Sequence, residues 1–375
     1  MIAREIMLKP LIIVDCSRNL KIDGLYAMSV TMKELARLAG VSRQAVSATF
    51  NQSSHSRVSP KTREKILRLS KLIDFVPNQA ARQLNGIRNH LIGITAIPRN
   101  SGIGIVLQME IATLLQQHGY GILTESIALD AFDPKSGLNE FRMRRVEGVM
   151  AFSVPAPFEQ PKSSAVPIVY CSAHNLGRGF DIETDRFNGG YIAAEHLLQH
   201  GRKKPVFLAL NEEGSYNQEK FNGFRKALQE HGLKITKDDF LTCEKSPSAA
   251  KMAEHLRKLK PDAILCANDY IAAKMIIALQ KIACRVPEDI AIIGFDGYAF
   301  CDFTPVSLTT VVQPIKEQAE MAVNLLFERI KNKETQCKFA NLKLKPILRL
   351  AASCGCKPSI PDKMDDADRI LVPDK

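Results

Sequence analysis

From His90 onward, short apolar runs alternate with longer stretches of helical apolar spacing, and this alternation constrains the fold more than any other feature of the chain. Buried parallel strands that alternate with helices form doubly wound α/β sheets. Since there are too many strand–helix units for one compact sheet, we expect two α/β lobes with a cleft between them. The apolar runs are HLIGITAI, GILTES, EGVMAFSV, PIVYC, FDIETD, PVFLAL, DAILCAND, IAIIGFDG and LTTVVQ, and helices are predicted near 103–119, 187–200, 215–231, 247–259, 270–283 and 316–332.

Ligands of such sheets bind beyond the carboxyl ends of the strands. Carboxylates and amides there suit a hydroxyl-rich ligand, because they accept and donate hydrogen bonds. The alternative is that side chains such as Asn268 and Asp296 only cap the following helices. The polar residues that come directly after predicted strands are Asn100, Ser153, Asp185, Asn268, Asp269 and Asp296.

No motif of an enzyme stands out in this region. Gly102-Ile103-Gly104 opens a helix after the first strand, but it lacks the third glycine of a dinucleotide-binding turn and the acidic residue about 20 positions later. The sequence has no nucleophile elbow, no phosphate loop and no carboxylate pair at a catalytic spacing. An enzyme is therefore not supported, and no cofactor is predicted.

The stretch Thr31–Asn51, TMKELARLAGVSRQAVSATFN, predicts two short helices joined by a tight turn. Thr31 caps the first helix and forms a capping box with Glu34. Gly40 ends that helix, and Ser42 caps the second, Arg43–Phe50. The predicted apolar side of the first helix consists of Met32, Leu35, Ala36 and Leu38. In the second helix Ala45, Val46 and Thr49 are expected to face inward, and Arg43, Gln44, Ser47 and Ala48 outward.

This arrangement is typical of a helix-turn-helix, whose second helix enters the DNA major groove by its N-terminal residues. Arg43 and Gln44 can make bidentate contacts to guanine and adenine. Residues 28–90 hold 11 Lys and Arg against 3 Asp and Glu, so most of the net charge of +11 lies there, as in a polyanion-binding module. The alternative is a helical hairpin with a solvated basic face.

Two further helices are predicted before the α/β region. Ser59-Pro60 opens a third helix, whose predicted core residues are Ile66, Leu69, Leu72 and Ile73. Residues 77–86, PNQAARQLNG, predict a helix too short to be stable alone. Leu84 on that helix is a candidate apolar wedge for a minor groove, or else it packs on its own protein.

The nine cysteines are odd in number and lack framework spacing, so we interpret them as reduced thiols of a cytosolic protein. His196 and His200 lie four residues apart on a predicted helix, but no third metal ligand follows them in the sequence. Cys354-Gly-Cys356 is too isolated to indicate a zinc site. No metal site is therefore predicted. No apolar run reaches the roughly 18–20 residues of a membrane span, and a signal peptide is not expected.

The predicted organisation has five segments. Residues 1–27 are a non-native or disordered extension, with Met28 as the expected start; 28–76 form the helix-turn-helix domain; 77–89 are hinge helix and linker; 90–356 form the two-lobe effector-binding and dimerisation domain; and 357–375 are a disordered tail.

Several stretches together resemble the lactose/galactose repressor family of bacterial transcription regulators, over about residues 28–352. They include VTMKELARLAGVSRQAVSATFN, VSPKTREKI, FVPNQAARQLNG, TDRFNGGYIAAEHLLQHG, VPEDIAIIGFDG and SLTTVVQPIKEQAEMAVNLLFERI. The resemblance implies a cytoplasmic, nucleoid-associated regulator, a homodimer or dimer of dimers on a palindromic operator, controlled by a small molecule such as a sugar. The lack of a leucine-heptad tail after residue 352 favours the dimer.

The resemblance also implies roles for individual residues. Arg43 and Gln44 would read bases, paired hinge helices would enter the minor groove through Leu84, and the chain would cross between lobes near 185, 313 and 337. The candidate DNA contacts are Thr31, Ser42, Arg43, Gln44, Ala45, Ser47, Asn51, Asn78, Ala81, Arg82 and Leu84. The candidate effector contacts are Asn100, Ser153, Asp185, Lys220, Asn268, Asp269, Asp296 and Gln313.

The sequence departs from the family pattern in three places, of which the first two bear on the effector. Lys220 stands where the family usually has Arg, and a lysine cannot make the bidentate contact. The loop IPRNSGIGIV lacks the usual acidic-Asn-Pro-aromatic pattern, so an aromatic that would stack on a sugar is missing there. Two extra residues lengthen the loop around Ser54–Arg57.

The competing interpretations are a two-lobe solute receptor, opposed by the basic helix-turn-helix, and a sugar-modifying enzyme.

Overall fold

The chain divides into two units, residues 1–88 and 89–375, each taken by itself below. The computed structural model describes residues 31–50, 58–75, 88–96, 102–126, 133–152, 154, 157–161, 165–171, 180–209, 215–234, 240–242, 259–335 and 339–356. Predictions that lie outside these residues are the 1–27 extension, the Ser54–Arg57 loop, nearly all of the hinge and of the 247–259 helix, the 357–375 tail, and the contacts of Asn51, Asn78, Ala81, Arg82, Leu84, Asn100 and Ser153.

The described part of the first unit contains three helices: α1 (Met32–Ala39), α2 (Arg43–Phe50) and α3 (Pro60–Leu72). Side-chain caps begin all three, since the Thr31, Ser42 and Ser59 hydroxyls accept hydrogen bonds from the backbone N–H of Glu34, Ala45 and Thr62. Gly40 adopts φ 65°, a left-handed conformation that ends α1 and turns the chain into α2.

Two residues assigned to the three-helix core from the sequence lie outside it. Leu38 is 45% exposed, because Ala39 lies on the same helical stripe as Leu35 and Ala36 whereas Leu38 does not. Leu72 is 70% exposed at the end of α3. The chain then turns, and Phe75 packs into the core in its place, with its ring 5.5 Å from that of Phe50.

The second unit contains two α/β lobes, as the alternation predicted. The first lobe is a six-stranded parallel sheet in the order β11-β5-β4-β3-β1-β2. Its strands are β1 (Leu91–Ala96), β2 (Gly121–Ser126), β3 (Gly148–Phe152), β4 (Ile168–Cys171), β5 (Ile182–Thr184) and β11 (Leu342–Leu344). Helices α4 (Gly102–Gln117) and α9 (Ile315–Asn332) bury apolar side chains on one face, and α5 (Asn139–Met143) on the other.

The second lobe is also six-stranded, in the order β12-β10-β9-β8-β6-β7, and only β12 is antiparallel to its neighbour. Its strands are β6 (Pro205–Ala209), β7 (Phe240–Thr242), β8 (Ala263–Cys266), β9 (Ala291–Asp296), β10 (Thr309–Val312) and β12 (Ile347–Arg349). The helices described in this lobe are α6 (Arg186–Gln199), α7 (Ser215–Glu230) and α8 (Asp269–Lys281), with short 3-10 turns at Ala299–Phe303 and Ala352–Cys354.

The chain passes between the lobes three times. Two crossings lie near 185 and 313, where β5 leads into α6 and β10 into α9. The prediction of a third near 337 was wrong. Because β11 pairs with β5, the chain stays in the first lobe through Leu344 and crosses at Lys345-Pro346 to β12. Three neighbouring connections therefore join the lobes.

Candidate DNA-reading helix and effector site

The second helix of the first unit exposes its N-terminal residues. Arg43 and Gln44 are exposed, whereas Val46 and Thr49 are buried. The Thr49 hydroxyl donates to the Ala45 carbonyl at 2.8 Å. Arg63 of α3 donates to the Thr49 carbonyl at 3.3 Å, which ties the third helix to the second. The two long polar side chains that can read bases thus project from a helix whose other side is fixed in a core.

A buried cluster at the carboxyl ends of β8 and β9 brings together several predicted effector residues. The Lys220 ammonium donates to the Ala267 carbonyl at 2.6 Å and lies 4.0 Å from the Phe295 ring centroid. The Gln313 amide donates to the Asp296 carboxylate at 2.7 Å. Asp296 has φ 125°, an unusual conformation for a residue with a side chain. We call this group the lobe-2 charge cluster: Lys220, Asp296 and Gln313.

Close packing of α6 on α7 places Lys220 in this cluster. A Cβ at Gly190 would lie 1.9 Å from the Lys220 carbonyl oxygen, and one at Gly223 would lie 1.8 Å from the Phe187 carbonyl oxygen. The absence of side chains at these two positions lets the backbones approach closely. The two glycines therefore determine how closely α7, which carries Lys220, approaches α6.

Burial shifts the ionisation of both charged members of the lobe-2 charge cluster. It raises the pKa of Asp296 to about 7, with Lys220 and Gln313 opposing the shift and Asp269 adding to it. It lowers the pKa of Lys220 to about 8, against the attraction of Asp296. The cause is the desolvation of each charged form.

Asp269 is adjacent to this cluster but bonded differently. Its carboxylate accepts hydrogen bonds from the backbone N–H of Gly297 and Tyr298 at 2.8 and 2.9 Å, and from the Thr310 hydroxyl. The bonds from Gly297 and Tyr298 fix the loop after β9, and the bond from Thr310 ties the carboxylate to β10. Direct contact of Asp269 with an effector remains a prediction, while its positioning of that loop is visible.

Asn268 and Asp185 have the helix-capping contacts that their positions allowed. The Asn268 side chain accepts from the Ile271 N–H at 2.9 Å, and the Asp185 side chain accepts from the Asn188 N–H at 2.9 Å. Both are half-buried rather than enclosed. Each side chain has a second polar atom, so its capping bond is compatible with contact to an effector.

Sequence reasoning missed a second charged group beside Asp185. Arg186 is buried, lies 3.1 Å from the Glu183 carboxylate and 3.7 Å from that of Glu219, and stacks 3.8 Å from the Tyr216 ring centroid. Burial raises the pKa of Glu219. An arginine next to a strand-end aspartate and three residues after Glu183 was the available signal, but Glu219 and Tyr216 lie on α7 and could not be read from spacing.

The aromatic side chains missing from the first loop come instead from the second lobe. Tyr270, Tyr298 and Phe300 form one cluster with ring centroids 4.9–5.4 Å apart. A Cβ at Gly102, at the start of α4 in the first lobe, would lie 2.4 Å from the Tyr298 hydroxyl. That hydroxyl is buried with no hydrogen-bond partner among the residues that the structure describes. An aromatic surface thus faces the opposite lobe.

One group within the described ranges could hold a metal ion: His196, His200 and Cys356. The expectation that the two histidines lack a further candidate ligand was wrong, because the C-terminal segment brings Cys356 against them. None of the helices in the described parts is long and apolar enough to cross a membrane.

Comparisons with known proteins agree with both units. Residues 31–78 match the model of bacterial regulatory proteins of the lacI family, and residues 194–350 match a periplasmic binding protein-like domain. The transcriptional regulator DegA of Bacillus subtilis is 30% identical over 304 residues, which cover 77% of this chain and 88% of DegA. The chain belongs to the LacI family.

Other members support the same assignment. The transcriptional repressor PurR of Mannheimia succiniciproducens is 28% identical over 82% of this chain and 93% of its own length. The lac repressor dimer bound to operator and an anti-inducer has the same fold, with a TM-score of 0.72 at 22% identity, covering 87% of this chain and 99% of that one. This LacI-family protein is therefore a DNA-binding transcription regulator with a helix-turn-helix and a two-lobe domain.

Proposed function

We propose that this protein is a transcription repressor that binds a palindromic operator as a homodimer and responds to a small molecule between its lobes. The observation that carries the proposal is the pairing of an exposed Arg43-Gln44 on α2 with a buried, incompletely paired charge cluster in the second lobe. The first supplies base readout and the second supplies a ligand-sensitive element. Operator binding places its action in the cytoplasm, and its output is DNA occupancy rather than turnover.

We propose a sugar or sugar derivative as the effector. The half-buried Asn268 and Asp185 offer hydrogen bonds to hydroxyl groups, and the bonded side chains of Asp296 and Gln313 lie at strand ends of the second lobe. Tyr270 is 53% exposed and gives an aromatic face on which a sugar ring can stack. Among relatives, a ribose operon repressor of Haemophilus influenzae is 27% identical, and a LacI-family regulator from Enterococcus faecium was solved with bound ribose.

The mechanism follows from the three connections between the lobes. An effector that contacts both the lobe-2 charge cluster and the first lobe favours one degree of closure over another. Closure rotates the first lobe, which leads through residues 88–90 to the DNA-binding unit, and so changes operator affinity. Such coupling is commonly ~1–3 kcal/mol. The effector acts only to the extent that it binds the two closure states differently.

Selection of bound sequences from random duplex DNA by the full chain tests the proposal. We expect enrichment of a palindrome with half-sites about one helical turn apart. A folded dimer that enriches no sequence, alone or with a panel of sugars and purines, would favour a two-lobe solute receptor instead. Turnover of a panel sugar would favour an enzyme.

Substitution of Arg43 refines the test. Arg43→Ala should weaken binding to the selected operator by about 1–3 kcal/mol and relax preference at one position of each half-site. Arg37→Ala on α1, which is also exposed, is the matched control and should weaken all sequences equally or not at all. Uniform weakening by Arg43→Ala would make it a phosphate contact.

A further inference from the structure

Two segments 154 residues apart in the chain bring imidazole and thiol groups to one place in the second lobe. His196 and His200 lie one turn apart near the end of α6, with ring centroids 4.4 Å apart. Cys354 and Cys356 follow β12 in the C-terminal segment. The His196 Nε2 atom lies 3.3 Å from the Cys354 Sγ and 3.5 Å from the Cys356 Sγ, and the His200 Nε2 atom lies 3.3 Å from the Cys356 Sγ.

The three nitrogen–sulfur separations are those of ligands around a tetrahedral metal ion. Zinc bonds of about 2.3 Å to sulfur and about 2.0–2.1 Å to nitrogen place neighbouring ligand atoms roughly 3.3–3.8 Å apart. The ligand atoms of His196, His200 and Cys356 all lie within 4.8 Å of one another. Thiolate with imidazole is a donor set that favours zinc over magnesium or calcium.

Both segments are held in place by contacts that need no metal. On α6, Ala193, Ala194 and Leu197 are buried in the core of the lobe. In the C-terminal segment, Ser353 donates to the Ile292 carbonyl and accepts from the Thr309 N–H at 2.9 Å. The four side chains are therefore brought together by the fold itself, which lowers the ordering cost of binding an ion.

The group is also accessible. His200 is exposed, and His196 and Cys356 are half-buried, so an ion can enter from solvent. Cys354 is buried and receives a hydrogen bond from the Thr309 hydroxyl at 3.0 Å. The exposed histidine thus leaves an entry path for the ion, and the buried cysteine is held in place by the protein.

We propose that His196, His200 and Cys356 bind a zinc ion, with Cys354 as the fourth ligand. Each cysteine releases its proton on binding, so two thiolates neutralise the charge of the ion. With four protein ligands the site is structural rather than catalytic. It fastens residues 350–356 to α6, the helix whose opposite end begins at Asp185 in the candidate effector site. A metal-free alternative is a set of hydrogen-bonded thiols or a Cys354–Cys356 disulfide.

Metal analysis of the full chain, purified without chelators, tests the proposal. We expect one zinc ion per chain, and a visible absorption band of tetrahedral thiolate-bound cobalt when the zinc-free protein is titrated with Co²⁺. The double variant His200→Gln/Cys356→Ser should lose both signals. The control His231→Gln/Cys284→Ser changes the same residue types elsewhere in the same lobe, at side chains that are not buried, and should keep them.

Three results would overturn the proposal. The double variant could keep the zinc and cobalt signals, which would place the ion elsewhere in the chain. The wild type could bind no more zinc than the double variant. The wild type could also contain no zinc and show seven free thiols instead of nine, which would assign a Cys354–Cys356 disulfide. Thermal unfolding without metal shows whether both double variants fold. Addition of zinc should raise the Tm of the wild type and of the His231→Gln/Cys284→Ser control, but not that of His200→Gln/Cys356→Ser.

Cys354→Ser tests the fourth ligand by a separate readout. If Cys354 coordinates the ion, the cobalt–thiolate band should fall to about half, because one of two sulfur ligands is lost. An unchanged band would remove Cys354 from the site.

Discussion

Both lobes bury charged side chains, but the hydrogen-bond partners of these side chains differ between the lobes. In the first lobe, Asp181 accepts two hydrogen bonds from the Arg329 guanidinium at 2.6 and 2.7 Å, and two more from the backbone N–H of Tyr170 and Ala340 at 2.8 and 2.9 Å. Arg329 also donates to the Ile168 carbonyl. In the second lobe, Lys220 donates to a carbonyl rather than to a carboxylate, and Asp296 accepts one hydrogen bond from Gln313.

The difference separates a structural ion pair in the first lobe from two buried, less completely bonded charges in the second. Charges buried with a full set of partners are held in one geometry. Charges buried with few partners have shifted pKa values, as the raised pKa of Asp296 and the lowered pKa of Lys220 show. We therefore assign the Asp181–Arg329 pair to the stability of the first lobe and the lobe-2 charge cluster to effector sensing.

The largest expected effect on stability comes from the buried Asp181–Arg329 pair. Arg329→Met removes one partner and leaves Asp181 buried and unpaired, so the free energy of unfolding should fall by about 3–5 kcal/mol. Arg285→Met is the matched control, since Arg285 pairs with Asp289 at 2.8 Å but is 69% exposed, and such pairs contribute about 0–1 kcal/mol. Urea unfolding measures both. Equal losses in the two variants would contradict the assignment of Asp181–Arg329 as a structural pair.

The next effect concerns the helix contact that holds Lys220. Gly190→Ala forces α6 and α7 apart, because the added Cβ would meet the Lys220 carbonyl. The cost should be about 1–3 kcal/mol or more, as for other overpacked sites. Gly121→Ala is the control, since its nearest neighbour would lie at an ordinary 3.4 Å. Thermal and urea unfolding of the two variants give the comparison, and equal stability would show that the helices tolerate separation.

Asp296→Asn should change stability little near pH 4, where the folded carboxyl keeps its proton and resembles the amide, in contrast to Arg329→Met. The unfolded carboxyl loses its proton around pH 3.8, whereas the folded one, with its raised pKa, keeps it to about 7. The native state thus binds more protons in this window, and this residue's contribution to stability falls as the pH rises through it. We expect the difference in unfolding free energy between wild type and variant to shift in favour of the variant from about pH 4 to 7.

The opposite slope is expected from Lys220, and it is the smallest effect. Its folded pKa of about 8 lies below the ordinary 10.5, so the unfolded state binds more protons between these values and stability rises with pH there. Lys220→Met should remove this rise in urea unfolding. A wild-type profile without either slope would mean that the cluster is better paired than its geometry indicates.

Much of the fold could be predicted from the sequence because it depends on local periodicity. Within the described ranges, the helix-turn-helix with its caps at Thr31 and Ser42 and the alternation of strands and helices correspond to observed elements. Leu72 could not be placed, since Phe75 takes its position only after a tertiary turn. The third crossing could not be placed either, because it depends on which strand β11 pairs with.

The candidate sites show the same limit. Residues at strand ends, such as Asp296, follow from topology alone. The partners that decide their roles lie far away in sequence: Thr310 for Asp269, Glu219 for Arg186, and Cys356 for His196. Spacing along one segment carries no information about such pairs, which only the packing of distant segments creates.

The most direct test of the central claim is the affinity of the full chain for its selected operator, with and without each member of a panel of sugars and purines, in wild type and Asp296→Asn. We predict that one compound shifts the wild-type Kd by about 5–150-fold. Asp296→Asn should bind the operator equally well without the compound and show no shift. A variant that responds as the wild type does would contradict the assignment of the lobe-2 charge cluster to effector sensing.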